Sequence, residues 1–265
     1  MEIEVRGNTE YAYTGGKAFD PRLPAVVFIH GAGGDHSVWL LQSRYLAHHG
    51  YGVLAVDLPG HGRSRSAPLE RIEDMADWIV ALLDAAGVGT AALVGHSMGS
   101  LVALDCAGRY ETRVSRLALL GTAFPMRVTS QLLEAARTDE PTAHRMINVW
   151  SNAAWAHYPN NPGPGTWVLG ANVRLMERQR PGVLYADLAA CNNYAAGLER
   201  ARETRAPALL VLGARDLMTP PRAAQELAQS LSGARVVTLA GCGHNMMAEQ
   251  PDEVLDALLA FLREG

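Results

Sequence analysis

The stretch Gly95-His96-Ser97-Met98-Gly99 decides the fold of this chain. It follows the apolar run Ala91-Ala92-Leu93-Val94 and precedes Ser100-Leu101-Val102-Ala103-Leu104, a run whose composition suits a helix. A serine with a glycine two residues to either side, set between a strand and a helix, has the pattern of a nucleophile elbow. Such a serine sits on a sharp, strained turn, so its hydroxyl stands clear of the sheet. Strand and helix then approach so closely that side chains at Gly95 and Gly99 would collide. Taken alone, the same five residues also describe a plain glycine-rich turn without chemistry, and the rest of the chain has to decide between the two.

The chain has 265 residues, enough for one large domain or one domain carrying an insertion. Hydrophobic residues make up 48% and charged residues 19%, the balance of a globular protein with a full core. The net charge is -4 and no Lys/Arg cluster or basic stripe occurs, so nucleic acid is not an expected partner. Cys106, Cys191 and Cys242 are odd in number, far apart and without metal-ligand spacing, and they read as buried free thiols in a reducing compartment. Met1-Glu2-Ile3-Glu4-Val5-Arg6 carries no apolar signal segment, and no run approaches membrane-spanning length. The expectation is a cytoplasmic protein with no membrane partner.

Periodicity predicts strands alternating with helices. Ile3 to Val5 and Tyr11 to Tyr13 read as an opening hairpin. Val26 to Ile29, Gly52 to Val56, 91–95, Val114 to Leu120, Ala208 to Leu212 and Arg235 to Leu239 read as further strands. Val38 to His49, Glu70 to Ala86, 98–109, Ala223 to Leu231 and Val254 to Leu262 read as helices. This alternation predicts an α/β fold with a mostly parallel sheet covered by helices on both faces. One region breaks the rhythm. Residues 124–202 hold no buried-strand run but concentrate Met126, Met146, Trp150, Trp155, Tyr158, Trp167, Met176, Tyr185 and Tyr194 around the loop Asn160 to Gly165. They are expected to form an inserted helical lid between a core domain made of 1–123 and 203–265. Most of these large side chains are expected to build the lid's own small core, with only a few facing a ligand.

Serine needs a base to remove its proton. His244, in Gly241-Cys242-Gly243-His244-Asn245, falls between the last strand and the last helix, where sites of open α/β sheets gather. His96 adjoins the serine, but neighbouring side chains on such a turn diverge. His61, in Asp57-Leu58-Pro59-Gly60-His61-Gly62-Arg63-Ser64, suits a turn-stabilising role, and His48 and His49 suit the surface. The base needs an acid to fix its tautomer. Asp216, just beyond the strand Leu210-Val211-Leu212, ends in the right place. Asp57 also ends a strand but leads into a tight loop, and Asp105 lies inside the helix after Ser97. The chain order Ser97, Asp216, His244 is serine, acid, base. For an oxyanion, the donors expected are the backbone N–H of Met98, at a helix start, and that of Ala32 in His30-Gly31-Ala32-Gly33-Gly34. That glycine-rich loop has neither the lysine of a P-loop nor dinucleotide spacing, and no metal, nucleotide, flavin or other cofactor is implied. Trp155 and Tyr158, beside the Pro/Gly loop, and Met218 and Asn245, next to acid and base, are the candidate substrate contacts.

Four separated segments now agree. His30-Gly31 with Trp39, Asp57 to Ser64, Gly95 to Gly99, and the Asp216 and His244 loops together resemble the α/β-hydrolase superfamily, with the resemblance spanning the chain outside the lid. It implies an eight-stranded, mostly parallel sheet with the second strand antiparallel, a lid above the serine, and the triad Ser97, Asp216 and His244. It leaves the substrate open, since the fold hosts many chemistries. Relatives that use an aspartate at the elbow are set aside by Ser97. Perhydrolase-type relatives commonly carry a tryptophan in the second oxyanion turn or just before the serine, and this chain has no clear match. Lipases often have longer lids or signal peptides. The expected activity is that of a serine hydrolase cleaving carboxylic esters or lactones of hydrophobic small molecules through an acyl-enzyme. The alternatives are a carbon–carbon bond hydrolase of aromatic catabolism and a ligand-sensing binding protein. A carbon–carbon hydrolase would need a cation for the substrate carboxylate. No arginine pair stands near the motifs, but the lid supplies Arg145, Arg174 and Arg178.

Overall fold

Runs of apolar residues that read as buried strands do form them. The computed structural model describes residues 1–157 and 167–264. Among these, β1 (Glu2–Val5), β2 (Asn8–Tyr13), β3 (Ala25–Ile29), β4 (Gly52–Asp57), β5 (Ala91–His96), β6 (Val114–Leu120), β7 (Ala208–Gly213) and β8 (Arg235–Leu239) make one eight-stranded sheet. The spatial order is β1-β2-β4-β3-β5-β6-β7-β8. β2 is antiparallel to both its neighbours, and from β4 to β8 every pairing is parallel. β3, β4, β5 and β7 are buried along their whole length, which is why their sequences are apolar throughout rather than alternating.

Alternate side chains of each strand supply two separate cores. Val27 and Ile29 of β3 and Leu54 and Val56 of β4 pack on one face, against α2 (Ile72–Ala85) and α3 (Met98–Arg109). Val26 and Phe28, with Val53 and Ala55, pack on the other, against α1 (Leu40–His48) and the C-terminal α11 (Pro251–Leu262). From β3 the chain passes to β4 on one side and then to β5 on the other. The carboxyl ends of β3 and β5 therefore flank the crevice where open α/β sheets place ligands.

Between β6 and β7 the described residues add helices and no strand. They form α4 (Ser130–Thr138), α5 (Glu140–Ser151), α6 (Val168–Glu177), α7 (Val183–Asn193) and α8 (Gly197–Glu203). Thr129 caps α4 by accepting the N–H of Leu132, and Asp139 caps α5 by accepting that of Thr142. Leu132, Ala136, Ala143, Ile147, Met176, Leu184 and Leu188 close a small aliphatic core of their own. The end of α7 and α8 behave differently. Ala190, Cys191, Tyr194 and Ala201 join the core on the α3 face, and the Tyr194 hydroxyl donates to Asp105 at 2.9 Å. The short α9 (Gln225–Ser230) and α10 (Met246–Glu249) complete the chain. All three cysteines are buried and free, and no helix among the described residues is long and apolar enough to cross a membrane.

Candidate active site

Ser97 follows the last residue of β5 and sits at φ +52°, ψ −119°, a conformation that L-residues adopt only under constraint. The constraint is visible around it. Its N–H donates to the Leu120 carbonyl at 2.9 Å, and its carbonyl accepts the Ser100 hydroxyl at 2.5 Å. A Cβ on Gly95 would strike the Gly99 carbonyl, and one on Gly99 would strike the Ile29 carbonyl. Both glycines are therefore required by the close approach of β5, α3 and β3. Met98 is the first residue of α3, so its N–H has no intrahelical acceptor.

Asp216 and His244 come from loops beyond the carboxyl ends of β7 and β8. His244 Nδ1–H donates to Asp216 Oδ2 at 2.7 Å. Asp216 Oδ2 also accepts the Thr219 hydroxyl at 2.7 Å, and Oδ1 accepts the N–H groups of Met218 and Thr219, each at 2.8 Å. Burial works to raise the Asp216 carboxyl, but His244 and the Thr219 donors outweigh it and hold it at about 2. With the proton on Nδ1, the lone pair of His244 is on Nε2. Asp57, the other strand-ending aspartate, is committed to its own loop: it accepts the N–H and Nδ1–H of His36 and the N–H of Arg63.

Ser97 and His244 border one cavity, together with Ala32, Met218 and Asn245. Ala32 is half-buried, in a loop so close to the serine that a Cβ on Gly31 would lie 3.0 Å from that of Ser97. The opposite wall is the helical segment, through Leu132 of α4, Ile147 and Trp150 of α5, Leu175 and Met176 of α6, and Leu188 of α7. Trp155, expected at the ligand, does not line this cavity. Its indole N–H instead donates to the Gly241 carbonyl at 2.5 Å, fastening the segment after α5 to the loop that carries His244. A large aromatic with a polar edge serves such a junction well. Tyr158 lies outside the described residues. Arg174 pairs with Glu177, Arg178 with Asp35, and Arg145 with the Thr142 hydroxyl. Among the described residues Arg127 borders the cavity, and no local pattern marks it in the sequence.

Two further side chains shape the site. His96, expected to diverge, donates Nε2–H to the His244 carbonyl at 2.9 Å, with ring centroids 4.6 Å apart. Burial and the neighbouring His244 push His96 down to about 3, so it stays a neutral donor. Glu249 of α10 is fully buried and accepts the N–H groups of Gly243 (3.1 Å) and Ala153 (2.9 Å). Burial raises its carboxyl above the ordinary range. His96 finds its partner 148 residues away and Glu249 one of its two partners 96 residues away, so neither role can be read locally in full. The one group of ligand atoms close enough to share a cation among the described residues is Asp35, His36 and Asp57. Its oxygens already serve Ser37, Arg178, His36 and Arg63.

Residues 24–251 match the family described as alpha/beta hydrolase fold. The chain is 30% identical over 250 residues to the dihydrolipoyllysine-residue acetyltransferase component of an acetoin cleaving system from Pseudomonas putida. That match takes in 90% of this chain but 63% of the longer relative, so the chain spans less than two thirds of it. It is 30% identical over 251 residues to the pimeloyl-(acyl-carrier protein) methyl ester esterase of Aromatoleum aromaticum, covering 87% of this chain and 94% of the esterase. Among solved structures, the enol-lactonase from Burkholderia xenovorans LB400 superposes with a TM-score of 0.87 at 25% identity over 100% of both chains.

Proposed function

We propose that this chain, which belongs to the α/β-hydrolase family, is a serine hydrolase cleaving carboxylic esters or lactones of hydrophobic small molecules. One observation carries the reading. A serine held at φ +52° borders the same cavity as a histidine whose Nδ1–H is fixed by a buried aspartate 2.7 Å away. The similarity to an esterase and to an enol-lactonase supports the same reaction class.

In this reading Ser97 Oγ attacks the acyl carbon while His244 Nε2 takes the hydroxyl proton. Asp216 keeps the imidazole in the Nδ1–H tautomer and stabilises the imidazolium. The N–H groups of Ala32 and Met98 receive the oxyanion. Collapse breaks the acyl–oxygen bond, and the leaving alkoxide takes the proton from His244. Water, deprotonated by the same nitrogen, then attacks the acyl-Ser97 ester; the second collapse breaks the bond from the acyl carbon to Ser97 Oγ, which takes the proton back from His244 as the acid is released. The helices of 124–202 act as the lid, and their aliphatic wall favours an uncharged acyl or alcohol group, since a buried charge there would need a partner.

Arg127 on the cavity border keeps one second reading alive, a carbon–carbon hydrolase acting on a dienoic diketone acid. Purified protein assayed with p-nitrophenyl esters, lactones and vinylogous diketones separates the two. Efficient ester or lactone turnover supports the proposal, and trace ester rates beside fast diketone cleavage overturn it in favour of the second reading. Tight binding without turnover of any of these points to a ligand sensor.

A further inference from the structure

Asp187 of α7 joins the helical segment to the loop that follows β3. Its side chain is fully buried, and Oδ2 accepts two hydrogen bonds of 2.8 Å, one from the N–H of Gly33 and one from Nε2–H of His61. His61 is fully buried as well, and its Nδ1 lies 3.0 Å from the Pro59 carbonyl. Both ring nitrogens of His61 thus face an oxygen, an arrangement that suits an imidazolium paired with the Asp187 carboxylate. The groups facing it fit that state. Burial alone would lower His61, but the Asp187 charge and hydrogen bond, with a smaller contribution from Asp57, raise it. His30, with its ring 4.7 Å away, is pushed down to about 4 by burial and by His61, and stays neutral. It accepts the N–H of Leu58 at Nε2 and donates Nδ1–H to the Gly31 carbonyl.

A buried ion pair is a poor source of net stability, because desolvation offsets the attraction. It is a good source of fixed geometry, and this one fixes the peptide next to Ala32. Gly33 sits at φ +63°, its N–H is tied to Asp187, and a Cβ there would lie 3.1 Å from Leu184 of α7. The far end of the loop is tied from the same side, by Arg178 donating to both oxygens of Asp35 at 2.9 Å. Gln179 Nε2 donates to Asp35 Oδ2 as well, at 3.2 Å, so the loop that borders Ser97 is held by three side chains of the helical segment.

We propose that Asp187 is a positioning residue for oxyanion stabilisation: through Gly33 it sets the direction in which the Ala32 N–H points into the cavity. This rests on the ester-hydrolase reading above. The test compares the wild type with Asp187→Ala, which deletes the acceptor, and Asp187→Asn, which keeps an uncharged one. Each is measured for kcat and KM on p-nitrophenyl butyrate, for inhibition by an alkyl trifluoromethyl ketone whose serine adduct carries the oxyanion, and for melting temperature. Misplacing one donor should lower kcat about 100-fold in the alanine variant. The asparagine variant should recover about ten-fold of that. KM should stay within about three-fold, and the inhibition constant should rise in step with the loss of kcat. Unchanged ketone affinity, or a kcat loss matched by the loss of folded protein, overturns the proposal. If the alanine variant does not fold, the asparagine variant decides alone: a roughly ten-fold lower kcat with a matching rise in the inhibition constant supports it, and wild-type values overturn it. A wild type that neither turns over esters nor reacts with a fluorophosphonate overturns the hydrolase reading itself, whereas an active wild type with unaltered variants overturns the role of Asp187 alone.

Discussion

The carbonyl of Ser151, at the end of α5, accepts the N–H of His244 at 2.7 Å and that of Asn245 at 3.1 Å. The segment that walls the cavity is thus hydrogen-bonded to the residue proposed as the base. A Cβ on Gly243 would lie 2.7 Å from the Ser151 carbonyl oxygen and 3.0 Å from the Ala153 N–H nitrogen. Gly243→Ala should therefore push the two apart, destabilising the protein by about 1–3 kcal/mol and lowering kcat more than it raises KM. Chemical denaturation and steady-state kinetics on the same preparation check this. A variant with wild-type stability and turnover would show that the contact is loose.

Asp216→Asn should keep the fold and cost roughly 10⁴ in turnover, because the amide favours the wrong imidazole tautomer. The wild-type carboxyl sits at about 2, below its unfolded value, so its contribution to stability is present above about pH 4 and is lost as the pH falls toward 2. Melting temperatures measured from pH 5 to pH 2 should drop more steeply in the wild type than in Asp216→Asn. Near-normal turnover in this variant, with Asp57→Asn inactive, would move the acid to Asp57.

The His61–Asp187 pair has the opposite sign. His61 is raised in the folded protein, so the pair's contribution is complete below about pH 6.5 and is lost as the pH climbs through the raised folded value. The melting temperature of the wild type should fall on the alkaline side, and Asp187→Asn should flatten that limb. Parallel curves for the two proteins would argue against a charged His61.

Trp155 and Trp150 make a paired test of what lines the cavity. Trp155→Phe removes the hydrogen bond to Gly241 and should cost about 1 kcal/mol of stability with little change in KM. Trp150→Ala should raise KM for bulky esters, since Trp150 borders the cavity. A shift in ester preference in Trp155→Phe, with none in Trp150→Ala, would reverse the two assignments.

The contrast between these tryptophans shows where the sequence could be read and where it could not. β3, β5 and β7 were legible because strands buried on both faces must be apolar throughout. Ser97 was legible because two glycines are sterically forced around it. Asp216 and His244 could be placed because each follows a readable strand. Nearness to a Pro/Gly loop carries no information about the direction of Trp155, whose indole donates to a backbone carbonyl 86 residues away. His96 and the His61–Asp187 pair escape for the same reason. A histidine beside a serine, or an aspartate inside a helix, looks the same locally whether it faces solvent or a partner more than 100 residues distant.

The central claim is that Ser97 is the nucleophile, and covalent labelling tests it most directly. After reaction with a fluorophosphonate, peptide mass spectrometry should find the adduct on Ser97, and Ser97→Ala should take up no label and lose on the order of 10⁶ in ester turnover. An adduct on another residue, or a Ser97→Ala variant that still hydrolyses esters within a few fold of the wild type, would contradict it.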